Sequence, residues 1–143
     1  DEAALTAFEQ VIDAYPSTDA AIAARYHRAA ALMALARYEE AEQGFQATVD
    51  TASGTVFEPM AKLGQAEVLI ASGSFDKGLQ LLENLSADRD GLLPVDGVLM
   101  QLARAYKKAG KPAEARTAYK RVVDEFPNSL YVPEARQELV TLG

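Results

Sequence analysis

Ala4, Ala41, Gly78 and Ala115 stand 37 residues apart, and so do Phe8, Phe45, Leu82 and Tyr119 four residues further on. The same spacing relates Ala29, Ala66 and Ala103, followed three residues later by Leu32, Leu69 and Tyr106. A chain that repeats itself at such a period builds one supersecondary unit several times and buries the apolar face of each on its neighbour. This constrains the fold to an all-α solenoid and points to a binding scaffold rather than an enzyme. It does not identify what is bound.

Within each period two helices are expected. Apolar residues recur at helical spacing in Tyr26–Leu35, Leu63–Ser72 and Met100–Ala109. Breaks follow at Ala36-Arg37, Gly73-Ser74 and Gly110-Lys111, and second amphipathic stretches start at Tyr38, Phe75 and Pro112. Gly73 and Gly110 suit the left-handed residue that closes a helix, and Pro112 the first turn of the next. Ala36 occupies the same place with a Cβ, which in that conformation costs roughly 1–2 kcal/mol. Ala36→Gly is therefore predicted to raise the melting temperature. The small residues of the repeat let paired backbones approach, so a large side chain at Ala66 or Ala103 is expected to cost about 1–3 kcal/mol through overpacking.

Longer turns are expected at 15–18, 50–54, 87–91 and 126–129, where Pro16 and Pro127 stop helices and Ser, Thr, Asn or Asp residues cap the next ones. Residues 2–16 supply only the second helix of a unit. Either a preceding segment has been removed, or another chain covers Leu5, Phe8, Val11 and Ile12. Repeats follow over 19–53, 57–90 and 94–127, and 129–143 forms a final helix whose Glu134, Arg136 and Glu138 give a polar cap. The whole is expected to be one domain of about eight helices.

Composition removes several functions. The chain has no Cys, which excludes disulfides, thiolate catalysis and cysteine zinc sites. His27 is the only histidine and has no acid near it in sequence, so it reads as a partly exposed helix residue. Asp88, Asp90 and Gly91 begin like a calcium loop, but the remaining ligands are missing and the segment reads as a polar turn. Asn84-Leu85-Ser86 fits a glycosylation sequon but falls in the middle of a helix. The net charge is −7, with 15 acidic and 6 basic residues in 1–90 against 6 and 8 in 91–143. With no concentrated basic face, nucleic acid is not the expected ligand. Nor does any apolar run approach the length of a membrane span. No catalytic group, cofactor or metal is assigned.

These residues resemble the tetratricopeptide repeat, best in Leu99–Pro127, where Ala103, Tyr106, Gly110, Ala115, Tyr119 and Pro127 fall in place. Departures are the absence of Trp, Asp90 in place of a proline, and a period longer than the usual 34 residues. The resemblance implies a right-handed superhelix of antiparallel helix pairs. The strings FEQVIDAYPSTDAAIAARY and YKRVVDEFPNSLYVPEAR are similar to a subtype common in bacterial envelope proteins. The types in view are the ancillary subunit of the Sec translocon, the TolA-binding coordinator and the barrel-assembly lipoprotein. A scaffold in the cell envelope or periplasm is what this implies, with the cytoplasm as the alternative.

The resemblance also implies a concave face formed by the first helix of each pair. It carries Ala23, Tyr26, Ala30, Met33 and Ala34, then Met60, Leu63, Glu67, Ile70 and Ala71, then Gly97, Met100, Arg104, Lys107 and Lys108. A peptide or helical segment of a partner protein is expected there, held by Tyr26, Met33, Met60, Leu63, Ile70 and Met100. Methionine suits such a surface because it adapts to varied apolar partners. Arg104, Lys107 and Lys108 would make the far end basic. Burial of the same apolar residues in the core is the competing reading. The lysine and asparagine pair that clamps chaperone tails in other tetratricopeptide domains is replaced here by Tyr26 and Ala30, Leu63 and Glu67, Met100 and Arg104. Self-association through the first helix, as a homo-oligomer, is the alternative function, and an accessory arm of a larger protein is a third.

Overall fold

Three of the helix ends share one hydrogen-bond pattern, and it sets the repeat. After α2 (Asp19–Ala34), the Arg37 amide donates to the Leu32 carbonyl at 2.9 Å and the Ala36 amide to Met33 at 2.9 Å. After α4 (Phe57–Ala71), Ser74 donates to Leu69 at 2.8 Å and Gly73 to Ile70 at 3.2 Å. After α6 (Val95–Lys108), Lys111 donates to Tyr106 at 2.8 Å and Gly110 to Lys107 at 3.1 Å. These crossed bonds satisfy helix carbonyls that would otherwise lack partners, and they require one left-handed residue. That residue is Ala36 (φ 58°), Gly73 (φ 89°) or Gly110 (φ 74°). The expectation for Ala36 holds.

The computed structural model describes residues 1–143 as eight α-helices without strands. The remaining helices are α1 (Glu2–Ala14), α3 (Tyr38–Thr51), α5 (Phe75–Ala87), α7 (Pro112–Glu125) and α8 (Val132–Leu142). Thus α3, α5 and α7 begin at Tyr38, Phe75 and Pro112, where the repeat put them. The Thr18 hydroxyl caps α2 by accepting from the Ala21 amide at 3.2 Å. By packing the chain forms two compact units, Asp1–Ser74 and Phe75–Gly143. The division falls inside the expected repeat at 57–90, between its two helices.

In the first unit α1 packs on α2, α2 on α3, and α3 on α4, with α4 also touching α2. Leu5, Ala29, Leu32, Ala41, Phe45, Ala61 and Val68 form its core. Close approach explains the small residues. A Cβ built on Gly44 would lie 3.0 Å from the Ala29 Cβ, and one on Gly64 would lie 2.6 Å from the Phe45 ring. The ring therefore lies flush against the α4 backbone, where any side chain at residue 64 would displace it. Phe8, Val11 and Ile12 of α1 remain half-buried, while Leu5 is fully buried.

In the second unit α5 packs on α6, α6 on α7, and α7 on α8. Leu82, Ala103, Ala115 and Tyr119 are buried, as the repeat predicts, and so are Leu99 and Val122. Each large apolar side chain so buried contributes about 1.5–3 kcal/mol. The Tyr119 hydroxyl has no hydrogen-bond partner in the protein. Two ion pairs join α6 to α8: Arg104 to Glu134 at 2.8 Å, and Lys107 to Glu138 at 2.6 Å. The Ser129 hydroxyl ties the loop before α8 to Asp96 at 2.7 Å. The outer side of that end is less polar than expected, because Leu130 and Val140 are almost wholly exposed.

Candidate functional site

A concavity of about 300 Å3 opens in the first unit, and its lining comes from two faces at helical spacing. From α2 come Tyr26, Ala30, Met33 and Ala34; from α4 come Met60, Leu63, Gly64 and Glu67; Phe45 of α3 completes the wall. Within each helix these positions are three or four residues apart, which places them on one side. The alanines and Gly64 leave the space, and the two methionines with Leu63 make its surface apolar. Tyr26 and Met33 also pack against the core cluster, so the floor of the concavity is the edge of the core.

Aromatic rings hold Tyr26 in place. Its ring lies 5.7 Å from Phe45, 5.7 Å from Phe57 and 5.3 Å from His27, in tilted or edge-on arrangements. His27 in turn stacks on Phe8 at 6.0 Å. Burial, and then the charge of Glu67, push the Tyr26 hydroxyl above its ordinary pKa. Glu67 stays exposed to solvent beside these apolar groups, and desolvation raises its carboxyl above the usual range. No hydrogen bond or ion pair offsets that desolvation.

Of the nine residues expected on the binding face, the structure gathers Tyr26, Met33, Met60 and Leu63 around this one concavity. Two others need correction. Met100 is wholly buried and Ile70 is 8% exposed, so both are core side chains and offer no surface to a ligand. The reason is that both helices are covered on more than one face: α6 also buries Val98, Leu99, Leu102, Ala103 and Ala105, and α4 also buries Ala66, Val68 and Leu69. The basic end also changes character. Arg104 and Lys107 are exposed but bound to the carboxylates of α8, and Lys108 alone of the three carries no such pair.

Phe45, 2% exposed and part of the core, and the buried Gly64 were not among the residues expected on the binding face. Both line the concavity, and the only sequence signal was the replacement of a larger residue by glycine at 64. A second groove in the second unit was not foreseen. It holds about 340 Å3 and is lined by Leu102, Tyr106 and Ala118 with Glu83, Glu114 and Arg121 around them. There the Tyr106 hydroxyl donates to the Glu83 carboxylate. Burial comes first and that bond second in pushing Tyr106 up to about 12.

Chemically, the first concavity offers apolar contact, one phenol and one carboxylate. No three His, Asp or Glu side chains of the chain come together as a metal site would require. No helix is long and apolar enough to cross a membrane.

Comparison with known proteins agrees with this architecture. No curated protein shows a significant sequence match. Among solved structures, the nearly identical TPR-like repeats of a proposed kinesin light chain from Podosopora anserina superpose with a TM-score of 0.80 at 20% identity. The alignment covers 96% of this chain and 75% of that one. A single-residue variant of the same protein gives 0.78 at 20% identity, over 96% and 74%. A tetratricopeptide repeat protein from Parabacteroides merdae ATCC 43184 gives 0.72 at 10% identity, over 96% and 52%. At these identities the likeness concerns the fold. Residues 1–141 match the family described as tetratricopeptide repeat-like domain, whose members generally act as non-catalytic mediators of protein–protein interaction. The chain belongs to the tetratricopeptide repeat-like domain family.

Proposed function

We propose that the chain is a non-catalytic binding module that takes a short segment of a partner protein into the concavity of its first unit. The observation that carries this reading is the convergence of Tyr26, Met33, Met60 and Leu63 on one apolar hollow beside the core. Its volume, about 300 Å3, suits one or two side chains and stands at the lower end of the range for specific pockets. Exposed apolar surface of this kind costs solubility and marks interaction sites. A bacterial envelope setting belongs to the same proposal and is supported by the envelope-type strings at 8–26 and 119–136.

The test is photo-crosslinking in the native cell from Leu63, with exposed Glu42 on α3 as the control. A discrete adduct formed from Leu63 and not from Glu42, and lost on Met33→Gln, supports the reading. Equal labelling from both positions refutes it. Self-association through α1 is the second reading, favoured by the half-exposed Phe8, Val11 and Ile12. A doubled mass in light scattering that Phe8→Glu returns to the monomer value would establish it instead. Leu5 does not serve that test, because it is 4% exposed and its replacement perturbs the core.

A further inference from the structure

We infer that the partner segment is basic as well as apolar: one bulky apolar side chain seated against Met33, Met60 and Leu63, with an adjacent lysine or arginine paired to Glu67. This rests on the preceding assignment of the concavity as the binding surface. The first argument is local. Glu67 lines an apolar hollow, and nothing in the protein neutralises it.

The second argument covers the whole unit. Residues 1–74 contain eleven acidic and only four basic side chains, whereas 75–143 contain ten of each. All four of those cations are already engaged. Arg28 holds Glu9 at 2.8 Å, and Arg37 bridges Glu2 and Glu40. Lys62 faces Glu58 at 3.5 Å, and Arg25 donates to the Pro16 carbonyl at 3.0 Å. None of the four pairs with Glu67. A carboxylate beside apolar surface loses part of its hydration, and a partner charge offsets that loss. An incoming lysine or arginine supplies that charge, and the surplus negative field of the unit draws it in. An acidic segment meets repulsion from the same field.

The experiment presents the whole chain to a positional-scanning library of nonapeptides, then measures the best peptide by fluorescence anisotropy at low and high salt. The expected selection is Leu, Met or Phe at one position with Lys or Arg at a neighbouring one. Glu67→Gln is expected to weaken that peptide about tenfold and keep the apolar preference, and Glu67→Lys to turn the charge preference toward Asp and Glu. Enrichment of acidic or uncharged peptides overturns the inference, as does equal affinity of Glu67→Gln and the parent. Met33→Gln and Leu63→Gln, both at half-exposed positions, separate the two levels. If they abolish binding and Glu67→Gln does not, the concavity stands and the charge assignment falls. If they leave binding unchanged, the peptide sits elsewhere and both fall. Selection of no peptide overturns both, and so does a dimer that Leu63→Gln dissolves, since a second copy then fills the hollow.

Discussion

Ala36→Gly isolates the conformational cost of one backbone position. Ala36 closes α2 at φ 58°, in the role that Gly73 and Gly110 fill after α4 and α6. An L-residue in this conformation costs roughly 1–2 kcal/mol, because its Cβ crowds the following carbonyl. Glycine removes the crowding but gives the unfolded chain more freedom, which returns about 0.4–1 kcal/mol. Ala36 is exposed, so its methyl group contributes little burial. The net expectation is a gain of about 0.5–1 kcal/mol, which for a chain of this size is a rise of about 2–4 °C in melting temperature. Circular dichroism melts and urea titrations read it, with a higher midpoint and an unchanged slope. The reciprocal changes, Gly73→Ala and Gly110→Ala, are expected to lower stability by a similar amount. A Cβ added at either site meets no atom within 4 Å, so their loss is conformational. A melting temperature of Ala36→Gly equal to or below that of the parent refutes the reasoning, and so does indifference to Gly73→Ala.

Three further changes test other parts of the fold. Gly64→Ala drives a Cβ into the Phe45 ring, 2.6 Å away, and is expected to cost about 1–3 kcal/mol in chemical denaturation while narrowing the concavity. Tyr119→Phe removes a buried hydroxyl without a partner and is expected to stabilise the protein by about 1 kcal/mol. Burial pushes the hydroxyls of both Tyr119 and Tyr106 up to about 12, above their ordinary 10. The folded state thus holds these protons longer than the unfolded state. Its stability is full below pH 10 and declines as pH rises through 12, and Tyr119→Phe softens that decline in alkaline melts. Glu134→Gln with Glu138→Gln frees Arg104 and Lys107 from α8. Each exposed pair is worth roughly 0.2–1 kcal/mol, so faster amide exchange in α8 is the readout.

How legible the site was depended on the kind of information each residue carries. Met33, Met60 and Leu63 were expected on the concave face from the resemblance to the repeat family, and all three line one hollow. Met100 was expected there on the same ground, yet it is buried. Periodicity gives the direction of a side chain from its helix axis, but not whether another element covers that direction. Arg104 and Lys107 read as a basic patch because their partners, Glu134 and Glu138, are 30 and 31 residues away in sequence. Nothing local announces such a pairing. The Tyr106–Glu83 contact spans 23 residues and was missed for the same reason.

The sequence by itself determined the eight helices, their breaks and the small and large residues that recur with the repeat. All of these follow from local backbone preference and from a pattern repeated every 37 residues. It determined even the left-handed alanine at 36, because the repeat aligned it with two glycines. Only the tertiary structure decided which apolar residues stay exposed, which charges are paired within the protein, and that Glu67 is not. Those outcomes depend on distances between helices and on how each is turned about its axis. Shifts of an ångström or of a few tens of degrees change them, and no local preference encodes shifts so small.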